Sequence, residues 1–185
     1  MLELTHRTQL LSIARTSIES VFDGIRLRID EASLDPVLVR PSGAFVSLHT
    51  HEGDLRGCIG SIHPVAPLCH AVSSNAVHAA FRDPRFDPLE REELARIHIE
   101  ISVMSPIEVV TDFETIEVGR DGLIVTRGGR AGLLLPQVAT EYAWDRETFL
   151  AQTCVKAGLP ADSWRRPDCR IERFSAEVFG EQVAD

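Results

Sequence analysis

The sequence predicts an α+β fold in two lobes of related design, with antiparallel pairing in each. Three observations carry that prediction. Residues from Ala44 to Ile62 alternate, turn and alternate again, as a β-hairpin does; a helical apolar face and then an alternating strand follow; and the same succession of patterns recurs in the second half of the chain. At 185 residues with 44% hydrophobic content, the chain can bury a core of its own without a disulfide or metal staple.

The elements follow in order. Leu10, Ala14, Ser17, Ile18, Val21 and Phe22 recur at helical spacing, which predicts an amphipathic helix over Thr5 to Asp23, ending at Gly24. The stretch from Ile25 to Ser42 carries Pro36 and Pro41 and no sustained period, so it reads as a connector with some ordered turn inside it. Phe45 to His49 and Leu55 to Ile62 form the hairpin strands, with His51 to Asp54 as the turn. A helix then runs from Leu68 to Arg82 on the face made by Val65, Cys69, Val72, Ala76 and Ala80, and Asp83-Pro84 stops it. Ile97, Ile99, Ile101 and Val103 alternate with His98, Glu100 and Ser102, which makes Ile97 to Met104 a strand with one buried face. In the second half, Leu123 to Arg127 and Ala131 to Leu135 flank a Gly128-Gly129 turn, Asp145 caps a helix reaching Lys156, and Arg170 to Phe179 forms the closing strand.

Charge and cysteine usage narrow the function. With 28 acidic against 19 basic residues and a net charge of -9, the chain has no general attraction for nucleic-acid backbones or anionic membranes. No apolar run is long enough to span a bilayer and no secretory signal is evident, so a cytoplasmic protein is expected. Cys58, Cys69, Cys154 and Cys169 match neither a zinc framework nor a disulfide scaffold and read as free thiols. Cys69 and Cys154 fall on apolar helix faces and read as core residues, whereas Cys169 has no assignment.

The first hairpin gathers chemistry. If Glu52-Gly53 is a two-residue turn, His49 faces Arg56, Ser47 faces Cys58 and Val46 faces Ile59. Val46, Leu48, Leu55 and Ile59 then share an apolar face, and Ser47, His49, Arg56 and Cys58 share the other. A permanent positive charge at Arg56 favours the Cys58 thiolate, the nucleophilic form, and His49 can exchange a proton near neutral pH. Gly57 and Gly60 mark a bulge or the close approach of another group. The plainer reading makes Cys58 a buried apolar residue and Arg56 a surface charge. Arg85 suits either a carboxylate or phosphate ligand or an ion pair with Asp83 or Asp87. Glu100 either pairs with Arg56 or orients His49, unless its sheet face is simply solvated. His49, His51 and Cys58 supply metal-ligand atom types, but His51 sits at the turn and Arg56 opposes a dication, so no metal site is expected. No phosphate-binding glycine loop is present, and no cofactor is expected.

Phe45-Val-Ser-Leu-His49 followed by Leu55-Arg-Gly-Cys-Ile-Gly60 resembles the hallmark of the AMMECR domain family, called AmmeMemoRadiSam system protein A in prokaryotes. The resemblance extends through Asn75-Ala76, Asp83-Pro-Arg-Phe86, Ile99 to Val103, Gly132 to Val138 and Cys154 to Leu159, nearly the whole chain. It implies a single AMMECR-type domain with two unequal lobes: a larger one of about 1–42 plus 106–185, a smaller one of about 43–105, and a cleft between them. Within it, the resemblance implies a functional region at Leu55 to Gly60. Cys58, Arg56 and His49 are the candidate catalytic residues, and Ser47, Gly57, Arg85 and Glu100 the candidate substrate-binding ones. The family name implies association with a Memo-type protein and a radical S-adenosylmethionine protein. This chain lacks the closely spaced cysteines of an iron-sulfur cluster, so radical chemistry falls to the partner. An enzyme or enzyme subunit is the first expectation, and a module binding protein or a small anion at the same place is the alternative.

Overall fold

The computed structural model describes residues 2–25 and 27–182. In chain order the elements are α1 (Leu4–Phe22), α2 (Pro36–Val39), β1 (Ala44–Thr50), β2 (Leu55–Ser61), α3 (Leu68–Phe81), β3 (Ile97–Met104), β4 (Glu108–Val109), β5 (Asp121–Arg127), β6 (Arg130–Leu134), α4 (Pro136–Glu141), α5 (Arg146–Lys156) and β7 (Arg170–Gly180), with short 3-10 turns between several of them. The fold is mixed helix and antiparallel sheet, as the alternating patterns required.

Two compact units divide the chain: Met1–Met104 with Glu177–Asp185, and Ser105–Ala176. This grouping differs from the lobes expected above, because α1 packs on α3 and so falls with the first hairpin rather than with residues 106–185. The reason is apolar complementarity. Leu10, Ala14 and Ile18 line one stripe of α1 and are fully buried in the same cluster as Val46 and Leu48 of β1, Val72 and Ala76 of α3, and Ile99 and Ile101 of β3. α1 ends where expected. Gly24 adopts φ +67, and the amides of Gly24 and Ile25 donate back to Val21 and Ser20, closing the helix as a left-handed glycine does. In the connector, Asp30 and Asp35 cap a 3-10 turn and α2, which carries Leu38 into the core.

The first unit orders its strands β2-β1-β3, with β1 antiparallel to both neighbours, and the end of β7 lies beyond β3. A two-sided clamp fixes this end. Arg15 donates to the carbonyls of Leu94 and Ile97 and pairs with Glu181, whose carboxylate also accepts the Ile99 N–H at 2.8 Å. The second unit repeats the order on its own: β6-β5-β7, with β4 added to β7. Here α5 packs on β5 and β6 and seals a core of Leu123, Val125, Phe149, Leu150 and Ile171. Asp145 caps α5 through the Thr148 N–H at 2.8 Å. Among the described residues, no helix is long and apolar enough to cross a membrane.

Candidate functional site

The hairpin turn is one residue longer than the expected two. The Thr50 N–H donates to the Asp54 carbonyl and the Gly53 N–H to the Thr50 carbonyl, closing a loop over His51, Glu52 and Gly53, with Gly53 at φ +92. The longer loop shifts the register by one at the tip, so His49 pairs with Leu55 and not with Arg56. A bulge between Leu48 and His49 then restores the expected register, giving Leu48–Gly57, Ser47–Cys58 and Val46–Ile59. Leu55 consequently leaves the apolar face to which it was assigned and is 38% exposed.

Below the bulge the geometry around Cys58 is tight. The Ser47 hydroxyl donates to the Cys58 sulfur at 3.2 Å across the strand pair. Cys58 is half-buried and its thiol is free. β2 is an edge strand, and the loop after α3 covers that edge at Cys58 itself. The Cys58 N–H donates to the Asp83 carboxylate at 2.8 Å, and the Cys58 carbonyl accepts from Arg85 at 3.3 Å. Asp83 is buried and takes two bonds from the Arg85 guanidinium, at 3.0 and 2.7 Å, and one from the Arg85 N–H. The Arg85 guanidinium and, after it, the Cys58 N–H hold the Asp83 carboxyl far below the usual carboxylate range, against the opposing effect of burial. Arg85 leaves 53% of its side chain exposed.

Arg56 is occupied elsewhere. Its guanidinium grips the Glu93 carboxylate through two bonds of 2.8 and 2.9 Å and donates to the Asp87 carbonyl at 3.0 Å. The pair raises Arg56 and lowers Glu93 from their ordinary values. The cation bonded to the Cys58 backbone is therefore Arg85.

Strand β3 lies beside β1, so the sheet face opposite Val46 and Leu48 collects a row running Cys58, Ser47, Glu100, with a second row of His49 and His98. The two imidazoles stack at 5.1 Å between centroids and 15° between planes, and Glu100 approaches His49 Nε2 at 3.9 Å. His49 Nε2 and His98 Nδ1 are buried atoms without a hydrogen-bond partner. Gly57 lies on the opposite side, where α3 presses the Ala79 carbonyl against it. Asn75 donates to the Ala44 carbonyl at 2.9 Å and ties α3 to β1. Cys69 and Cys154 are buried, as their helix faces required. Among the described residues no group of three or more His, Cys, Asp or Glu side chains is arranged to hold a metal ion.

Sequence reasoning brought Ser47 and Cys58 together but missed two partners. Asp83 entered only as a helix stop and a partner for Arg85, and nothing in a strand's alternation says which loop will cover its edge. Glu93 likewise gave no signal, because its reach to Arg56 depends on where the residues after Pro88 turn back.

The comparisons fit this architecture. Residues 11–179 match the family model described as AMMECR1. A Thermococcus gammatolerans protein is 44% identical over 182 residues, covering 94% of this chain and 89% of its own length. A Methanothermobacter thermautotrophicus protein is 48% identical over 179 residues, covering 93% of this chain and 92% of its own. The crystal structure of an uncharacterized Pyrococcus horikoshii protein, PH0010, superposes with a TM-score of 0.77 at 41% identity, over 94% of this chain and 90% of that one. Identity of this depth along most of both chains, together with a shared fold, assigns the protein: it belongs to the AMMECR1 family.

Proposed function

We propose that this chain is an enzyme or enzyme subunit whose reacting group is the Cys58 thiol. The observation that carries the reading is the Ser47 hydroxyl bonded to the Cys58 sulfur at 3.2 Å, on a backbone held from outside by Asp83 and Arg85. The hydroxyl contact orients the sulfur, and the fixed backbone aims it at one place. His49, with Glu100 beside it, is the proton carrier of the face, and the exposed edge of Arg85 receives an anionic group of the substrate. Thiol nucleophilic chemistry is the reaction class. Its partners are the Memo-type and radical S-adenosylmethionine proteins implied by the family resemblance, its setting the cytoplasm.

Alkylation of the native protein with iodoacetamide tests the reading. Cys58 is expected to react ahead of the other three thiols and faster than a free model thiol at pH 7, with Ser47→Ala slowing it. Reaction at or below the model-thiol rate removes the nucleophile. The alternative is a non-catalytic module capturing a protein or small anion, favoured by the half-exposed Arg85 guanidinium. Under that reading Cys58→Ala spares partner capture from native extracts and Arg85→Ala abolishes it; under the first, Cys58→Ala abolishes the cellular phenotype with capture intact.

A further inference from the structure

One sheet face of the second unit changes from apolar to polar along its length. Ile171, Arg173 and Ser175 point to one side of β7, and the residues opposite them, Val125, Leu123 and Asp121 on β5 with Glu108 on β4, point the same way. Ile171, Val125 and Leu123 are buried in the core of this unit. Alternation asks for apolar residues at the next positions, and the chain instead supplies an arginine, a serine and two carboxylates. Together with Ser105 and Arg120, these four residues line a pocket of about 220 Å³.

Two guanidiniums converge on the pocket. Arg120 grips the buried Asp121 carboxylate through Nε and Nη2, each at 2.8 Å, and its Nη2 also approaches the Thr115 carbonyl at 3.5 Å. Arg173 Nη1 donates to the same carbonyl at 3.0 Å and stands 3.9 Å from the Asp121 carboxylate. Burial by itself raises the Asp121 carboxyl, but Arg120, the Glu117 N–H and Arg173 outweigh it and hold the group below its ordinary value. Asp121 therefore offsets one of the two cations. The other edge of Arg173 faces Glu108. Its Nε and Nη2 both aim at a single oxygen, Oε2, at 3.3 and 3.1 Å, longer than the roughly 2.7–2.9 Å of a good charge-assisted bond. The Glu108 side chain is 62% exposed on a strand of two residues, and an exposed pair of this kind contributes little and yields easily. A two-donor fork is thus met by one loosely held oxygen.

We propose that this pocket binds a small monocarboxylic acid, whose carboxylate displaces Glu108 and takes the Nε and Nη2 donors of Arg173 with both of its oxygens. Planar, bidentate pairing of this kind is what a guanidinium edge offers a carboxylate. The exchange conserves charge, one carboxylate for another. A phosphate or a dicarboxylate would bring a second negative charge beside Asp121 and Glu117, both of which already pair with Arg120. Size sets a matching limit: pockets for drug-sized ligands start at about 300 Å³, and this one is smaller.

The test is titration of the isotope-labelled full chain with sodium butyrate, followed through backbone amide chemical shifts. Saturable shifts are expected at residues 105–108, 120–121 and 173–175. Glu108→Ala is expected to tighten butyrate binding about two- to fivefold, the gain from removing an exposed competitor. Arg173→Lys, which keeps the charge and loses the fork, is expected to weaken it severalfold. Sodium phosphate and succinate are expected to bind more weakly than butyrate. Glu108→Ala alters an exposed side chain, so the outcome does not hang on a variant that fails to fold. Unchanged or weaker binding in Glu108→Ala, unchanged binding in Arg173→Lys, phosphate or succinate binding more tightly than butyrate, or shifts that do not saturate or that fall at residues 56–58 and 83–86 in place of the pocket each overturn the proposal. The pocket shares no residue with the Cys58 site, so either reading can fail alone.

Discussion

Replacing Asp83 with alanine is expected to destabilise the protein by about 2–3 kcal/mol at pH 7, measured by urea denaturation. The substitution strips the Cys58 N–H of its carboxylate acceptor and leaves the Arg85 guanidinium without its two-point partner. A fully buried pair would cost more on breaking; the half-exposed Arg85 side chain recovers some solvation, which holds the loss to this range. Asp83→Asn separates shape from charge, because it keeps one acceptor for the Cys58 N–H and removes the ion pair. The pH dependence has a definite sign. The folded carboxyl is depressed, so its contribution is complete above the unfolded carboxylate value near 4 and is lost as pH falls through the folded value. The gap between wild type and Asp83→Asn is therefore expected to hold from pH 7 to about 5 and to close progressively below about pH 4. A gap that stays constant into strong acid removes the ion pair as its cause. The same substitutions bear on Cys58, whose iodoacetamide rate should change in Asp83→Ala once the strand edge loosens.

How much of this site was legible depends on the range of the contact. Ser47 opposite Cys58 follows from period-two alternation, and it survives in the structure because the bulge at Arg56 cancels the extra loop residue. His49 opposite Arg56 follows from the same alternation and fails, because the tip lies on the far side of that bulge, where the loop holds three residues, His51 to Gly53, in place of the assumed two. The charge assignment fails for a different reason. Strand logic places Arg56 near Cys58 but is blind to Glu93, which arrives from a 3-10 turn 37 residues later. The fold was legible where apolar spacing was local, as in α1, β3 and α5. Which unit α1 joins was not, since an amphipathic stripe specifies that a helix is covered without naming its cover.

Gly57→Ala is expected to cost about 3 kcal/mol, the upper end of what an added methyl does in a packed core, because neither side of this contact can yield. A Cβ at Gly57 falls well inside contact distance of the Ala79 carbonyl oxygen, which is α3 backbone, and Gly57 itself is held in register opposite Leu48. The second unit uses the same device. Gly132, in the second strand of its hairpin, is met by the backbone of Lys156 and Ala157 at the end of α5. In both units the strand order is second, first, third, and a glycine in the second strand lets the helix end approach the sheet. Gly132→Ala should therefore lose stability to a similar degree. Gly53→Ala provides the contrast: its φ is +92, but a Cβ there meets nothing within 4 Å, so its cost is conformational alone, about 1 kcal/mol. Urea midpoints for the three variants separate the two origins. Similar large losses at Gly57 and Gly132 with a small one at Gly53 assign the cost to helix approach, whereas equal losses at all three positions assign it to glycine's backbone freedom and remove close packing as the reason these strands carry glycine.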